Sequence, residues 1–329
     1  MRNLRTMLAS AAMAAALLAA GPVAAQQKLT IRLGHVMPPT HFENIAFEQL
    51  AADIAKRSNG RIEMKIFPAS QLGSEREQTE QLNLGALEMH SSGGALQNYA
   101  PQLGIWALPF LFKGPEHYDR VMDGPIGQEM RDLLLKNSSI RILAYYPNGE
   151  RMFFNNKRPL TTLADFKGIK IRVDDQPVSA QIWRALGASP IPIAFAETYS
   201  ALQAGVVDAG ENPPTNIIRM RFYEVGKYVT ATRHSLTTMA LQTNEKWWQG
   251  LAAADRQLLT DSITAFLPAR RKTGWEADKE ALEELRKLGA TIVEVQNREE
   301  FASALLPLYQ QYGERTGSMA LIERIRATP

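Results

Sequence analysis

The 329-residue chain contains no cysteine. That excludes disulfides, thiolate metal sites and a cysteine nucleophile. It also excludes a lipid anchor of the bacterial type, which is attached to a cysteine at the cleavage site. Zinc-type histidine pairs are missing too. His35 and His41 stand six apart rather than four, His90, His117 and His234 are isolated, and no HExxH occurs. No metal or other cofactor is therefore expected. Nor is there a G-x-S-x-G elbow, a G-x-G-x-x-G turn or a G-x-x-x-x-G-K-[ST] loop, so those routes to hydrolysis, dinucleotide binding and phosphate binding have no motif. After Ala25 no apolar run approaches the roughly 20 residues of a membrane-spanning helix. An excess of one charge is lacking as well. Without Arg2 and Arg5 there are 35 basic residues against 34 acidic, and no basic stripe suits nucleic acid or an anionic membrane. The pI near 9.0 partly reflects the N-terminal segment.

What is present begins with a leader. Arg2 and Arg5 precede the run "MLASAAMAAALLAA", and "PVAAQQK" offers a small-residue cleavage site after Ala25. This pattern predicts a secretory signal peptide over 1–25. The remaining 304 residues, from Gln26, are then exported to a bacterial periplasm as a soluble, unanchored protein. That length accommodates two domains with separate cores.

The first part of that chain alternates strand and helix. "LTIRLGHV" (Leu29–Val36) predicts a strand, Glu43–Ser58 a helix, "RIEMKIF" a second strand, Glu75–Leu84 another helix and Leu87–Ser91 a third strand. Such βαβ order implies a largely parallel sheet. Further on, Gly226–Asn244 is β-rich throughout. Extended at ~3.3 Å per residue it spans about 60 Å, more than one strand needs, so it is expected to run from one domain into the other. Ala252–Leu288 has a helical pattern, broken or kinked by Pro268. These features predict an α/β protein of two interleaved lobes. The chain would cross near Pro147–Gly149, His234–Met239 and Gly274–Glu276, giving lobe I as 26–148 with 237–275 and lobe II as 149–236 with 276–329. A cleft between lobes is a common small-molecule site.

Chemistry for a reaction is absent from this reading. Asp174–Asp175 and Glu299–Glu300 are neighbours in sequence, and adjacent acids face different ways. "HSSGG" (His90–Gly94) is either a strand-to-helix turn or an anion nest. What remains suits the holding of an anion. In "GIKIRVDDQP", Ile169, Ile171 and Val173 share one parity, while Lys170, Arg172 and Asp174 share the other. By position alone Arg172 is a solvated charge on an outer face. Arg151 in an extended segment, Asn212 in the "GENPP" loop and Phe195 in "PIPIAFAE" fall in the same proposed lobe. Guanidinium matches both oxygens of a carboxylate, an asparagine amide adds a donor, and an aromatic ring excludes water.

The stretches "GIKIRV", "LGASPIPIAFAETYSALQAGVVDAGENP" and "FYEVGKYVTATRH", preceded by "LGHV", "SNGRIEMKIFPASQLGSERE", "LNLGALEM" and "LPFLF", closely resemble the periplasmic solute receptors of tripartite ATP-independent periplasmic (TRAP) transporters, of the dicarboxylate-receptor (DctP) type. The resemblance implies a two-lobe periplasmic binding protein fold of the type II-like class, with a long interdomain helix and a cleft that closes on an organic acid. The receptor then docks on a membrane permease and is not an enzyme. The resemblance further implies that Arg172 forms a two-pronged bridge to the ligand carboxylate, supported by Asn212, with Arg151 close by and Phe195 packed on the ligand. Residues near His35, Glu75, Ser92 and Gly93 would supply the first-lobe wall, with His234 near a crossing. Sialic-acid receptors of the family carry a glutamate where this chain has Gly93. The glycine would leave room and remove a polar partner, favouring a smaller acid: a C4-dicarboxylate, a 2-oxo or 2-hydroxy acid, or an aromatic acid. Some relatives dimerise through an extended terminal helix, and the early end after "LIERIRATP" favours a monomer. A receptor for an ATP-driven importer, a sensor, and an exported hydrolase or lyase are the competing readings.

Overall fold

The computed structural model of the protein describes residues 28–329. The expected signal peptide at 1–25 lies outside the described residues. Five strands form the first sheet: β1 (Leu29–Gly34), β2 (Ile62–Phe67), β3 (Met89–Ser92), β4 (Ile140–Glu150) and β10 (Leu236–Asn244), in the order β2-β1-β3-β10-β4. The second sheet holds β5 (Met152–Asn155), β6 (Lys170–Val173), β7 (Ser189–Pro192), β8 (Ala209–Asn212), β9 (Tyr228–Ala231) and β11 (Thr291–Glu294), in the order β11-β9-β5-β8-β6-β7.

Helices join and cover these sheets. In chain order they are α1 (Phe42–Arg57), α2 (Glu75–Leu84), α3 (Pro115–Asp123), α4 (Pro125–Asn137), α5 (Pro177–Ala185), α6 (Thr198–Gln203), α7 (Pro214–Arg219), α8 (Glu245–Gly250), α9 (Ala253–Lys287), α10 (Arg298–Leu305), α11 (Pro307–Thr316) and α12 (Met319–Ala327). Helix α1 shows how locally the elements are specified. Phe47, Leu50 and Ile54 recur on one face and are buried against Ile31, Leu33 and Leu259. Glu43 lies in its first turn and Lys56 and Arg57 in its last, complementing the helix dipole.

The sheets are mixed rather than largely parallel. β1 pairs in parallel with β2 and β3, as βαβ units require. The strands adjoining the crossings run the other way: β10 is antiparallel to β3 and β4, and β5 is antiparallel to β8 and β9. A strand that enters a sheet straight from the other sheet has no crossover helix to reverse it, so it pairs antiparallel. The chain passes between sheets at Arg151, where β4 gives way to β5, and over 232–235, where β9 gives way to β10. Helix α9 makes the third passage. Its Leu259 and Ile263 sit in the core of the first sheet, and its Ala281 and Leu285 in that of the second.

Pro268 does not end α9. It removes one N–H, but both Pro268 and Thr264, whose carbonyl loses its partner, are exposed, so water takes the bond. The C-terminal segment departs from the expected grouping of 276–329 in one lobe. Phe301 of α10 packs edge-on against Phe166, next to Trp183 beneath the second sheet. Helices α11 and α12 instead reach residues 101–129. Tyr309 donates to the Pro109 carbonyl at 2.6 Å, His117 Nε2 meets the Ile325 carbonyl at 2.9 Å, and Arg324 pairs with Glu129 at 2.7 Å. Apolar residues Leu308, Leu321 and Ile322 bury themselves there, which is why the segment crosses back.

Candidate functional site

A cleft lies between the two sheets, with Arg172, Asn212, Trp183 and Phe195 on one side and Met37, Glu75, Gly93 and Met239 on the other. The space open to water-sized spheres is about 80 Å³. At ~10–15 Å³ per water in this measure, that corresponds to roughly six waters. An outer chamber of about 330 Å³ shares Glu75, Arg172, Asp174, Gln176 and Phe195 with it.

Arg172 stands on β6, whose Ile171 and Val173 face the core. Its own side of the strand meets the cavity rather than water, and the residue is only 3 % exposed. The outer-face reading from position alone is thereby corrected: the second lobe's sheet edge is roofed by the first lobe. The Nε atom donates to the Ile193 carbonyl at 2.8 Å, which orients the guanidinium. Phe195 lies 5.8 Å from it, ring centroid to Cζ. Among the described residues no carboxylate is in ion-pair contact with this arginine. Burial pulls its pKa below the usual guanidinium value, against the raising influence of Asp174.

Arg151 has the opposite circumstances. Its Nε and Nη2 hold the Glu211 carboxylate in a fork, Nη2 to Oε1 being 2.6 Å, and Nη1 donates to Thr237 at 3.0 Å. His234 Nε2 stands 3.5 Å from Glu211, and Thr232 meets its Nδ1 at 2.9 Å. Burial alone would raise the Glu211 pKa, but Arg151 and His234 overcome that and hold it at about 2. The Arg151 charge is thus already balanced by protein.

Glu75 begins α2, and its Oε1 accepts from the backbone N–H groups of Gly93, Gly94 and Ala95 at 3.1, 3.0 and 3.3 Å. Desolvation, with Asp174 next in weight, nevertheless pushes its pKa up. The "SSGG" nest is therefore filled by a protein carboxylate. Gly93 also leaves no spare room. A Cβ there would lie 2.3 Å from the Thr238 carbonyl, and one on Gly94 2.5 Å from the Gln176 amide nitrogen. The expected vacancy at Gly93 is occupied by the β10 backbone.

A sequence model of the bacterial extracellular solute-binding protein family 7 (DctP) matches residues 33–316. The chain belongs to this family. A solute-binding protein of Roseobacter denitrificans is 33 % identical over 276 residues, covering 84 % of this chain and 85 % of the relative. The crystal structure of a TRAP periplasmic solute-binding protein from Bradyrhizobium, in complex with α/β-D-galacturonate, has a TM-score of 0.86 and 33 % identity, covering 91 % of this chain and all of that one. The sugar acid binding protein of Advenella mimigardefordensis, in complex with galactonate, gives a TM-score of 0.88 at 27 % identity, over 92 % and 98 % of the two chains. The fold is accordingly the two-lobe α/β fold of TRAP receptors, and the chain is a solute-binding protein of that type.

Within this receptor the cavity gathers Arg172, Asn212, Arg151, Phe195, Glu75, Gly93 and His234. It does not gather His35 or Ser92. Both are fully buried behind the wall, His35 Nε2 against Asn44 at 3.1 Å and Ser92 accepting from Gln242 at 3.0 Å. Asn212 is the last residue of β8 rather than part of a loop, and Pro214 starts α7 instead of stopping the chain. Sequence reasoning missed Glu211, Asp174 and Gln176. Glu211 stands beside Asn212 in the quoted motif, but nothing local announces a partner 60 residues away. Asp174 was legible only as the other member of the Arg172 parity set. Among the described residues no group of three or more His, Asp or Glu side chains is placed to hold a metal, and no helix is long and apolar enough to cross a membrane.

Proposed function

We propose that the protein is an exported periplasmic receptor that binds a small hydroxylated monocarboxylate and hands it to a TRAP permease without chemical change. One observation carries the ligand class: of the two arginines lining the cleft, Arg172 has no carboxylate partner among the described residues, and it shares the cleft with Glu75 and Asp174. One carboxylate balances Arg172. A second carboxylate would face two acids, at a cost that rises as water leaves the cleft. Hydroxyl groups suit the same end, because Glu75, Asp174 and the Gln176 amide all accept hydrogen bonds. The galacturonate and galactonate bound by the two structural relatives are acids of this kind. The reading therefore moves away from C4-dicarboxylates.

Arg172 and Asn212 are the donors to the carboxylate, Phe195 covers its face, and the Arg151–Glu211–His234 cluster stiffens the wall. A thermal-shift panel of sugar acids, 2-hydroxy acids and dicarboxylates tests the class. A ligand at a hundred times its Kd stabilises the folded protein by about 2.7 kcal/mol. Sugar acids should raise Tm and dicarboxylates should not. A panel in which dicarboxylates alone respond would overturn the assignment.

A further inference from the structure

Asn212 can turn either end of its amide toward a ligand, and only the nitrogen end suits a carboxylate. Its orientation is settled by Asn216, its neighbour in the cavity lining, and by His41 behind it. The backbone N–H of Glu43, in the first turn of α1, can only donate, and it donates to His41 Nδ1 at 3.1 Å. His41 is fully buried. Burial, with the Arg270 charge next in weight and His35 and Arg219 also lowering it, holds the ring pKa at about 3, so the imidazole is neutral. A neutral ring that accepts at Nδ1 carries its proton at Nε2. The Asn216 amide atom 2.9 Å from Nε2 is therefore the oxygen. The Asn216 nitrogen then donates to Asn212 Oδ1 at 2.8 Å. Both hydrogens of Asn212 Nδ2 are left for the cavity, which Asn212 lines.

We propose that His41 is a positioning residue for the ligand: a relay His41–Asn216–Asn212, set by the N-terminus of α1, fixes the Asn212 amide as a donor to the carboxylate. This rests on the receptor reading above and deepens it. His41 belongs to the loop between β1 and α1 of the first sheet, and Asn216 to α7, which follows β8 of the second. The relay is consequently complete only when the lobes meet. In the closed form Asn212 is committed as a donor, and on opening its amide is released to turn. Closure thus sharpens the preference for an anion over a neutral sugar of the same shape.

A double-mutant cycle tests this, using calorimetric titration with whichever of galacturonate, galactonate or glucuronate binds the wild type most tightly. His41→Asn and His41→Ser each keep an N-cap acceptor for Glu43 but fall short of Asn216. The Tm of ligand-free protein checks that they fold. Each should weaken binding about tenfold or more, the scale of a lost hydrogen bond to a charged group. In an Asn212→Ala background the same substitutions should change affinity less than about twofold, because the relay no longer ends on a donor. If the full loss persists in that background, His41 is only a contact between lobes and the relay is wrong. If His41 variants bind normally while Asn212→Ala is weakened, the relay also fails but the receptor site stands. If Asn212→Ala binds like the wild type, the site assignment itself falls, and the relay with it.

Discussion

Arg172 and Arg151 carry the same side chain into the same cleft, yet their surroundings assign them different tasks. Arg151 is matched to Glu211 before any ligand arrives, so it contributes rigidity more than attraction. Arg172 is desolvated, with a carbonyl and a ring in contact and, among the described residues, no carboxylate at ion-pair distance, a state that a carboxylate relieves. Glu211 provides a test at neutral and acidic pH. Its folded pKa, about 2, lies below the usual 4.5. Its contribution is therefore full above the unfolded value and is lost as pH falls toward 2. Glu211→Gln should destabilise the ligand-free protein by about 3 kcal/mol at pH 6, measured by urea unfolding. At pH 3 the difference from wild type should shrink by about 2 kcal/mol; an unchanged difference would contradict the pairing. Sequence alone reaches Arg172, Asn212 and Phe195 through composition and motif. It does not reach the Arg151–Glu211 pair, because alternation tells which face a side chain takes and not what stands opposite. For the same reason His35 and Ser92 were expected at the wall and lie behind it.

Elements explain how these residues come together. β8 and α7 meet at Pro213–Pro214, which places Asn212 and Asn216 one helical turn apart on the cavity side. Helix α9 braces the first crossing from behind. A Cβ on Gly274 would lie 2.2 Å from the Pro147 carbonyl, so the helix presses directly on β4. Asp278 accepts the Glu150 N–H at 2.7 Å. Gly149, near the end of β4 with φ +103°, makes the kink that brings this about, and a side chain there would strike the Asp278 carboxylate. Burial raises the Asp278 pKa from 3.8 to about 7, despite the opposing backbone N–H of Glu150. A raised carboxyl binds its proton more tightly folded than unfolded. It therefore lowers stability as pH climbs from about 4 to about 7, and no further above that. Asp278→Asn keeps an acceptor for Glu150 and cannot ionise. Between pH 5 and pH 8 the wild type should lose about 2–3 kcal/mol relative to this variant in urea unfolding. Parallel pH profiles for the two proteins would refute the assignment. Most helices were legible from spacing and caps. The antiparallel strands were not, since strand direction depends on which sheet the chain has just left.

At the scale of the whole molecule, three chain passages and a returning C-terminal segment tie the two sheets together around one small cavity. The long extended segment at 226–244 announced one of those passages by its length. The return of α11 and α12 to residues 101–129 had no such sign, because their apolar faces fit either side equally well on paper. Between the two sheets His41 meets Asn216 and Gln176 stands against Gly94, and Arg172 is buried. The account's central claim is that the buried guanidinium is the anchor for a single carboxylate. Calorimetric titration of the best-binding sugar acid into wild type, Arg172→Ala and Arg172→Lys addresses it most directly. Alanine should cost about 2–5 kcal/mol of binding, and lysine should also bind poorly because it lacks the planar two-pronged fork. The ligand-free Tm of both variants should be preserved, since the arginine makes no ion pair among the described residues. Near-native affinity in Arg172→Ala would contradict the account.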